Sequence, residues 1–376
     1  MGCTNSSHNK KCIEKQHVAI QCDEINYEFN GDIKRIYIKS ENYLIHDEIY
    51  RGTISQVFNG TLKTLNGQIN VACKKIKWSD IQKYNIFGYI LKEILLGMSL
   101  ENNAFVVKYY GIGNDNENIY IITEKYGDIN LSELIHIRTP PYYILCNYAL
   151  QILHIILWLH SKNIVHRDIK LSNFLINNGI IKICDFGAAT TKRQRLLSLC
   201  GTLSHMAPEI MRSEEYNFTV DYWSFAFVLI ELFGRCEIDM VILNKTLTSC
   251  LNTKATLNNI IKNEVILDIC TNIINNYKLQ QYINTTNIIL QLNIESQKKD
   301  EVSFNLSPLA PSYVSNIASD DKNNTFFDSE LSTIFDHIEK IEVNTNTNIL
   351  YDNVDKQRYT ISSDDIDMLA ARLTTT

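Results

Sequence analysis

The chain has 376 residues, 45% of them apolar, enough for a large buried core and more than one folding unit. Its formal net charge is -6, and its lysines and arginines are scattered, which excludes a chain built mainly to coat nucleic acid. Ten cysteines spread from Cys3 to Cys270 without a C-x-x-C pair, so neither a zinc site nor a thioredoxin-type site is indicated. No apolar core follows the first basic residues, so no secretory signal is expected and reduced thiols in the cytoplasm are the default.

Residues 1–24 are polar and without period, the pattern of a flexible tail. They begin Met1-Gly2-Cys3-Thr4-Asn5-Ser6, which fits the N-myristoylation pattern with Gly2 as acceptor and makes Cys3 a natural palmitoylation site. One myristoyl chain binds a membrane only marginally, with K about 10⁴ M⁻¹, so a second chain matters. Lys10, Lys11 and Lys15 add weak attraction to anionic lipid. The expectation is attachment to the cytosolic face of a membrane. Gly2→Ala is expected to move the protein to the soluble fraction and Cys3→Ser to leave weak, reversible binding. A wholly soluble wild type on fractionation refutes the anchor.

Next come short alternating runs. Asn30-Gly31 separates INYEF from IKRIYI, and Asn66-Gly67 separates QVFNGTL from INVACKKI, each the signature of a hairpin. A strand IYIIT follows at 119–123, and one helix is expected near 83–100. From about residue 131 the pattern turns helical, most strongly at 142–160 and 218–234. Both runs are long and apolar, but Asn147, Gln151 and His154 in the first and Asp221 and Glu231 in the second indicate core helices. Residues 240–350 are rich in Asn, Thr and Ile, and 294–325 reads as a disordered loop insertion.

The segment HRDIKLSNFL at 166–175 carries the chemistry. Transfer of a phosphoryl group needs a group to orient and deprotonate a hydroxyl, a cation on the phosphates and oxygen ligands for magnesium. Asp168, Lys170 and Asn173 offer these three types on one turn, and KICDFG follows at 182–187. In this order and spacing the two strings resemble the catalytic loop and magnesium-binding turn of the eukaryotic-type protein kinases, serine/threonine type. The likeness covers about residues 45–235 closely and the remainder more loosely.

That resemblance implies an α+β, two-lobed protein kinase fold, with a small antiparallel β lobe at 43–126 and a larger, mainly helical lobe at 127–376. It implies ATP and Mg²⁺ as cofactors, protein substrates and no nucleic acid. Lys74, in VACK, would grip the phosphates and Glu93 would hold Lys74. Asp168 would be the base, Lys170 would steady the γ-phosphate, and Asn173 and Asp185 would bind magnesium. Backbone groups at Glu124 and Tyr126 would meet the adenine, with Thr123 behind it and Asp128 or Asn130 near the ribose. Asp221 would anchor the catalytic loop, and Glu209 would pair with Arg358.

Two departures bear on activity. The loop expected over the phosphates spans Ile49, Tyr50, Arg51, Gly52, Thr53, Ile54, Ser55, Gln56 and Val57, and of its three glycines only Gly52 remains. A side chain forced to positive φ at Tyr50 or Ser55 would cost roughly 1–2 kcal/mol. A catalytically silent scaffold is therefore one alternative. The other is a dual-specificity or tyrosine kinase, because His205 stands where tyrosine is usual, although Lys170 and Thr202 match the serine/threonine type. Arg167 precedes the base, and in such kinases that arginine binds a phosphate on the activation segment. Ser198 is the best-placed acceptor, with Thr190 and Thr191 behind it.

Overall fold

The computed structural model describes residues 37–84, 86–100, 103–191, 196–234, 238–249, 252–279 and 283–298. Gly2, Cys3, the Asn30-Gly31 turn, residues 299–325 and Arg358 lie outside them.

Five strands, β1 (Tyr43–Arg51), β2 (Ser55–Thr64), β3 (Gly67–Lys77), β4 (Tyr109–Asn114) and β5 (Asn118–Glu124), form one antiparallel sheet in the order β1-β2-β3-β5-β4. The β2–β3 hairpin turns at Leu65-Asn66. Gly67 takes φ 117°, a value that needs glycine. Along β3 side chains alternate with period two, so Val71 and Cys73 are buried on one face while Ala72 and Lys74 belong to the other.

The helix expected near 83–100 is two helices, α1 (Trp78–Tyr84) and α2 (Phe87–Ser99). The Ile86 N–H bonds the carbonyl of Ile81, five residues back, so the chain leaves the four-residue ladder between them. Helix α2 buries Ile90 to Gly97 against the sheet.

A second, helical lobe follows. A small antiparallel sheet of β6 (Ile129–Asn130), β7 (Phe174–Asn177) and β8 (Ile180–Ile183) lies at its top. Its helices are α3 (Leu131–Ile137), α4 (Tyr142–Ser161), α5 (Pro208–Met211), α6 (Val220–Phe233), α7 (Met240–Ser249), α8 (Thr253–Asn258), α9 (Glu264–Asn276) and α10 (Thr285–Gln297). Helix α6 is buried almost all round and forms the lobe's axis, with α4 and α9 packed on it and α10 on α4. The last turn of α10 occupies 294–297, so the expected loop insertion does not begin at 294. Its start is set by Asn284, whose side chain accepts the Asn287 N–H.

Helix α4 is long and apolar enough by composition to cross a membrane, yet its polar residues are used inside the lobe. The Gln151 amide donates to Asn147 at 2.7 Å and to the Gly179 carbonyl at 2.9 Å, and it accepts the Ile181 N–H. Three residues on, His154 is 3% exposed, and burial pushes its imidazole down to about 4. A folded pKa below the unfolded value of about 6.5 means that the unfolded chain binds the proton first. The resulting contribution, about 3 kcal/mol, is present above about pH 6.5 and is lost as pH falls through about 4. Urea unfolding at pH 7 and at pH 4.5 should therefore show a smaller stability loss in His154→Leu than in the wild type. Equal losses would contradict this account.

Candidate active site

The two lobes meet where β3, α2, the loop after α4 and the turn after β8 converge. Lys74 lies opposite Val57 and Ile121 in the sheet, so the register of β3 aims its amine at the cleft. Its Nζ reaches both Glu93 oxygens, at 2.9 and 3.0 Å, and Asp185 Oδ1 at 3.2 Å. Burial opposes the charge on Lys74, but the two carboxylates outweigh it and hold the amine well above its ordinary value. Burial pushes the Glu93 carboxyl up against the pull of Lys74. For Asp185, burial is overcome by Lys74, Lys170 and the Gly187 N–H, and its carboxyl is held at about 2.

The loop after α4 is anchored from below. Asp221, fully buried at the start of α6, accepts the backbone N–H groups of His166 at 2.9 Å and Arg167 at 2.8 Å, and His160 Nε2 at 2.8 Å. These bonds hold Arg167 at φ 65°, where a side chain is otherwise disfavoured. Asp168 then stands above them. Its Oδ1 accepts the Thr202 hydroxyl at 2.6 Å, and its Oδ2 lies 2.8 Å from Lys170. Lys170 also donates to Thr202, at 2.8 Å, so the three side chains close a triangle. Asn173 donates through Nδ2 to the Asp168 carbonyl and carboxylate, so its amide oxygen is the atom that could serve a cation.

Gly201 brings Thr202 to this triangle. It takes φ 99°, and a Cβ there would lie 2.4 Å from the Arg167 carbonyl oxygen. Arg167 itself meets neutral acceptors on the activation segment and beyond. Its Nε donates to the Ala188 carbonyl and its Nη1 to the hydroxyls of Tyr216 at 2.9 Å and Ser198 at 3.3 Å. Tyr216 in turn donates to the Ser198 carbonyl at 2.6 Å, and Ser198 is 6% exposed. Nothing in the motifs pointed to Tyr216, because its role depends on a contact 49 residues away. His205 is buried, 3.3 Å from Glu231.

Over the cleft, β1 and β2 are joined by Gly52-Thr53-Ile54, closed by the Gly52 N–H on the Ser55 carbonyl at 2.8 Å. Ile49, Tyr50 and Arg51 end β1 and Ser55, Gln56 and Val57 open β2, with Tyr50 paired to Val57. Neither Tyr50 nor Ser55 has positive φ, so the strain expected from the missing glycines is absent. At the junction between lobes, the Glu124 N–H bonds the Lys108 carbonyl and its carboxylate holds Lys182 at 2.8 Å. The Tyr126 ring lies under the same ammonium, and its hydroxyl donates to the Ile180 carbonyl. Both side chains are thus committed away from a ligand. Thr123 pairs with Ala72. Asn130 is the N-cap of α3 in a capping box with Glu133, which engages its side-chain oxygen, while Asp128 lies exposed beside Lys125. The Glu209 carboxylate is held by the Tyr277 hydroxyl and lies 3.7 Å from Lys278.

A strand-rich lobe over a helical lobe, with a Lys–Glu–Asp cluster facing an Asp–Lys–Asn turn across the cleft, is the architecture of the two-lobed protein kinase fold. The sequence comparisons agree: a profile of the protein kinase domain matches residues 43–266, and the chain belongs to that family. Among curated relatives, an Aurora kinase of Saccharomyces cerevisiae is 33% identical over 165 residues, 43% of this chain and 45% of the relative. A probable serine/threonine-protein kinase of Dictyostelium discoideum is 31% identical over 217 residues, 55% of this chain and 51% of the relative. The catalytic subunit 3 of cAMP-dependent protein kinase of Drosophila melanogaster is 44% identical over 86 residues, 23% of this chain and 15% of the relative. The chain thus spans about half the length, or less, of these relatives.

Proposed function

We propose that this protein is a serine/threonine protein kinase, which transfers the γ-phosphoryl group of ATP to hydroxyls of protein substrates. The observation that carries this reading is the assembled pair of clusters, Lys74–Glu93–Asp185 above and Asp168–Lys170–Thr202 below. Residues 49–57 would cover the phosphates, and backbone groups at Glu124 and Tyr126 would receive the adenine. Asp185 and Asn173 supply hard oxygen atoms of the kind that suit Mg²⁺, which takes one or two protein ligands and completes its shell from phosphates and water. When bound there, the ion neutralises charge that develops on the transferring group.

Lys74, fixed by Glu93, would position the α- and β-phosphates. Asp168 would orient the acceptor hydroxyl and take its proton as the acceptor oxygen bonds phosphorus and the bond to the ADP oxygen breaks. Lys170 would stabilise the charge in transfer. The naming of relatives as serine/threonine-protein kinases and the Lys170–Thr202 bond support serine or threonine as acceptor. The test is incubation of purified protein with γ-labelled ATP, Mg²⁺ and a protein mixture, followed by phosphoamino-acid analysis. Phosphoserine and phosphothreonine are expected. Predominant phosphotyrosine refutes the specificity, and no transfer refutes the enzyme.

A further inference from the structure

Asparagine suits the middle of a buried helix badly: its helix propensity is low, and an amide taken out of water costs free energy unless it is hydrogen-bonded. Helix α7 nevertheless carries Asn244 at 0% exposure. The Asp239 carboxylate accepts the N–H groups of Val241 and Ile242 and fixes where that helix begins. Leu243 and Leu247, four residues apart, are buried on one side of it, and Asn244 is buried beside them. The Asn244 amide donates to the carbonyls of Leu203 and Met206, each at 2.9 Å. A third carbonyl of the same loop, that of His205, accepts the Ser224 hydroxyl from α6 at 2.8 Å, and the His205 N–H closes a turn on the Thr202 carbonyl. Buried side chains of α6 and α7 thus hold loop 203–206 by its carbonyls, while the Leu203 side chain is 45% exposed. The loop begins at the residue after Thr202, whose hydroxyl reaches Asp168 at 2.6 Å. A polypeptide with its hydroxyl at Asp168 therefore has to run beside this loop.

We propose that Asn244 is a positioning residue for the acceptor polypeptide: its amide, by holding the Leu203 and Met206 carbonyls, fixes the loop against which the substrate chain lies next to Asp168. Both hydrogens of one NH₂ group are used, so a single side chain sets the spacing of two points on the loop. The nucleotide side of the cleft is built from a separate set of contacts, among Lys74, Glu93 and Asp185. Loss of the amide therefore weakens the hold on the acceptor and leaves the hold on ATP. The consequence for substrate rests on the kinase reading, whereas the hold on the loop rests on the hydrogen bonds alone.

Asn244→Ala and Asn244→Leu, each in the full-length protein, test both. Alanine removes the two donors and leaves a space, and leucine removes the donors and fills it. The acceptor probe is a serine peptide that the wild type selects from a random library. Its KM is expected to rise about tenfold in both variants, the effect of losing two neutral hydrogen bonds. The KM for ATP is expected to stay within about twofold of wild type. Hydrogen exchange at the His205 amide, which bonds the Thr202 carbonyl inside the loop, should quicken about tenfold. A rise of both KM values together, or a fall in kcat with both unchanged, overturns the proposal, because an amide with a merely structural role would not single out the acceptor. Where one variant fails to fold the other decides, and failure of both overturns the proposal. A wild type that transfers no phosphoryl group refutes the kinase reading. The exchange comparison then still decides the hold on the loop, and unchanged exchange overturns it.

Discussion

Asp168→Asn is expected to lower phosphoryl transfer by about 10²–10⁴-fold, the usual cost of losing a positioned general base. The substitution keeps the side chain's size and its Oδ1 acceptor for Thr202, but the group at Oδ2 becomes an amide beside the Lys170 ammonium. It also removes the charge that, in the proposed reaction, would receive the acceptor's proton. The thermal midpoint should barely move, because the carboxylate is not part of either hydrophobic cluster. The KM for ATP should hold as well, since Lys74, Glu93 and Asp185 are untouched. Rates from labelled ATP, paired with a melting curve, check this. Near wild-type turnover would remove Asp168 as the base.

Asp221→Ala is expected to damage both fold and activity. The carboxylate is fully buried and serves His166, Arg167 and His160 at once. Alanine would strand these donors in the interior, and breaking a buried ionic or charge-assisted contact of this kind costs about 3–5 kcal/mol. In a lobe of this size that lowers the melting midpoint by roughly 10 °C. Arg167 would also be released from its positive φ, so the turn carrying Asp168 would relax away from Thr202 and Lys170. Asp221→Asn is the sharper variant. Its amide places N–H groups against a backbone N–H, so activity should fall more than stability does. Circular-dichroism melts and initial rates on both variants test this, and a fully active Asp221→Asn would show that the anchor is dispensable.

Much of the site is legible in the chain because its chemistry sits on short, ordered strings. Asp168, Lys170 and Asn173 occupy one turn, and Asp185 follows at the end of the next hairpin, so local geometry alone brings them near each other. The β2–β3 hairpin and the two longest helices are likewise local facts, governed by turn residues and by periods of 2 and 3.6. The family resemblance supplied the pairing of Lys74 with Glu93, which local pattern could not establish.

Tertiary packing decided the rest. Whether Tyr50 and Ser55 are strained depends on how β1 turns into β2, and that turn closes without a positive φ. By composition Asn130 suits a ligand or a helix end alike, and the start of α3 takes its side-chain oxygen as a cap. Tyr216 looks like an ordinary aromatic residue in the sequence. Its hydroxyl acquires its partners only when segments far apart in the chain come together, on Arg167 and Ser198. A string records which groups can donate and accept. Which donor meets which acceptor is set by the burial of apolar faces, which fixes the helices and strands before the polar groups are matched.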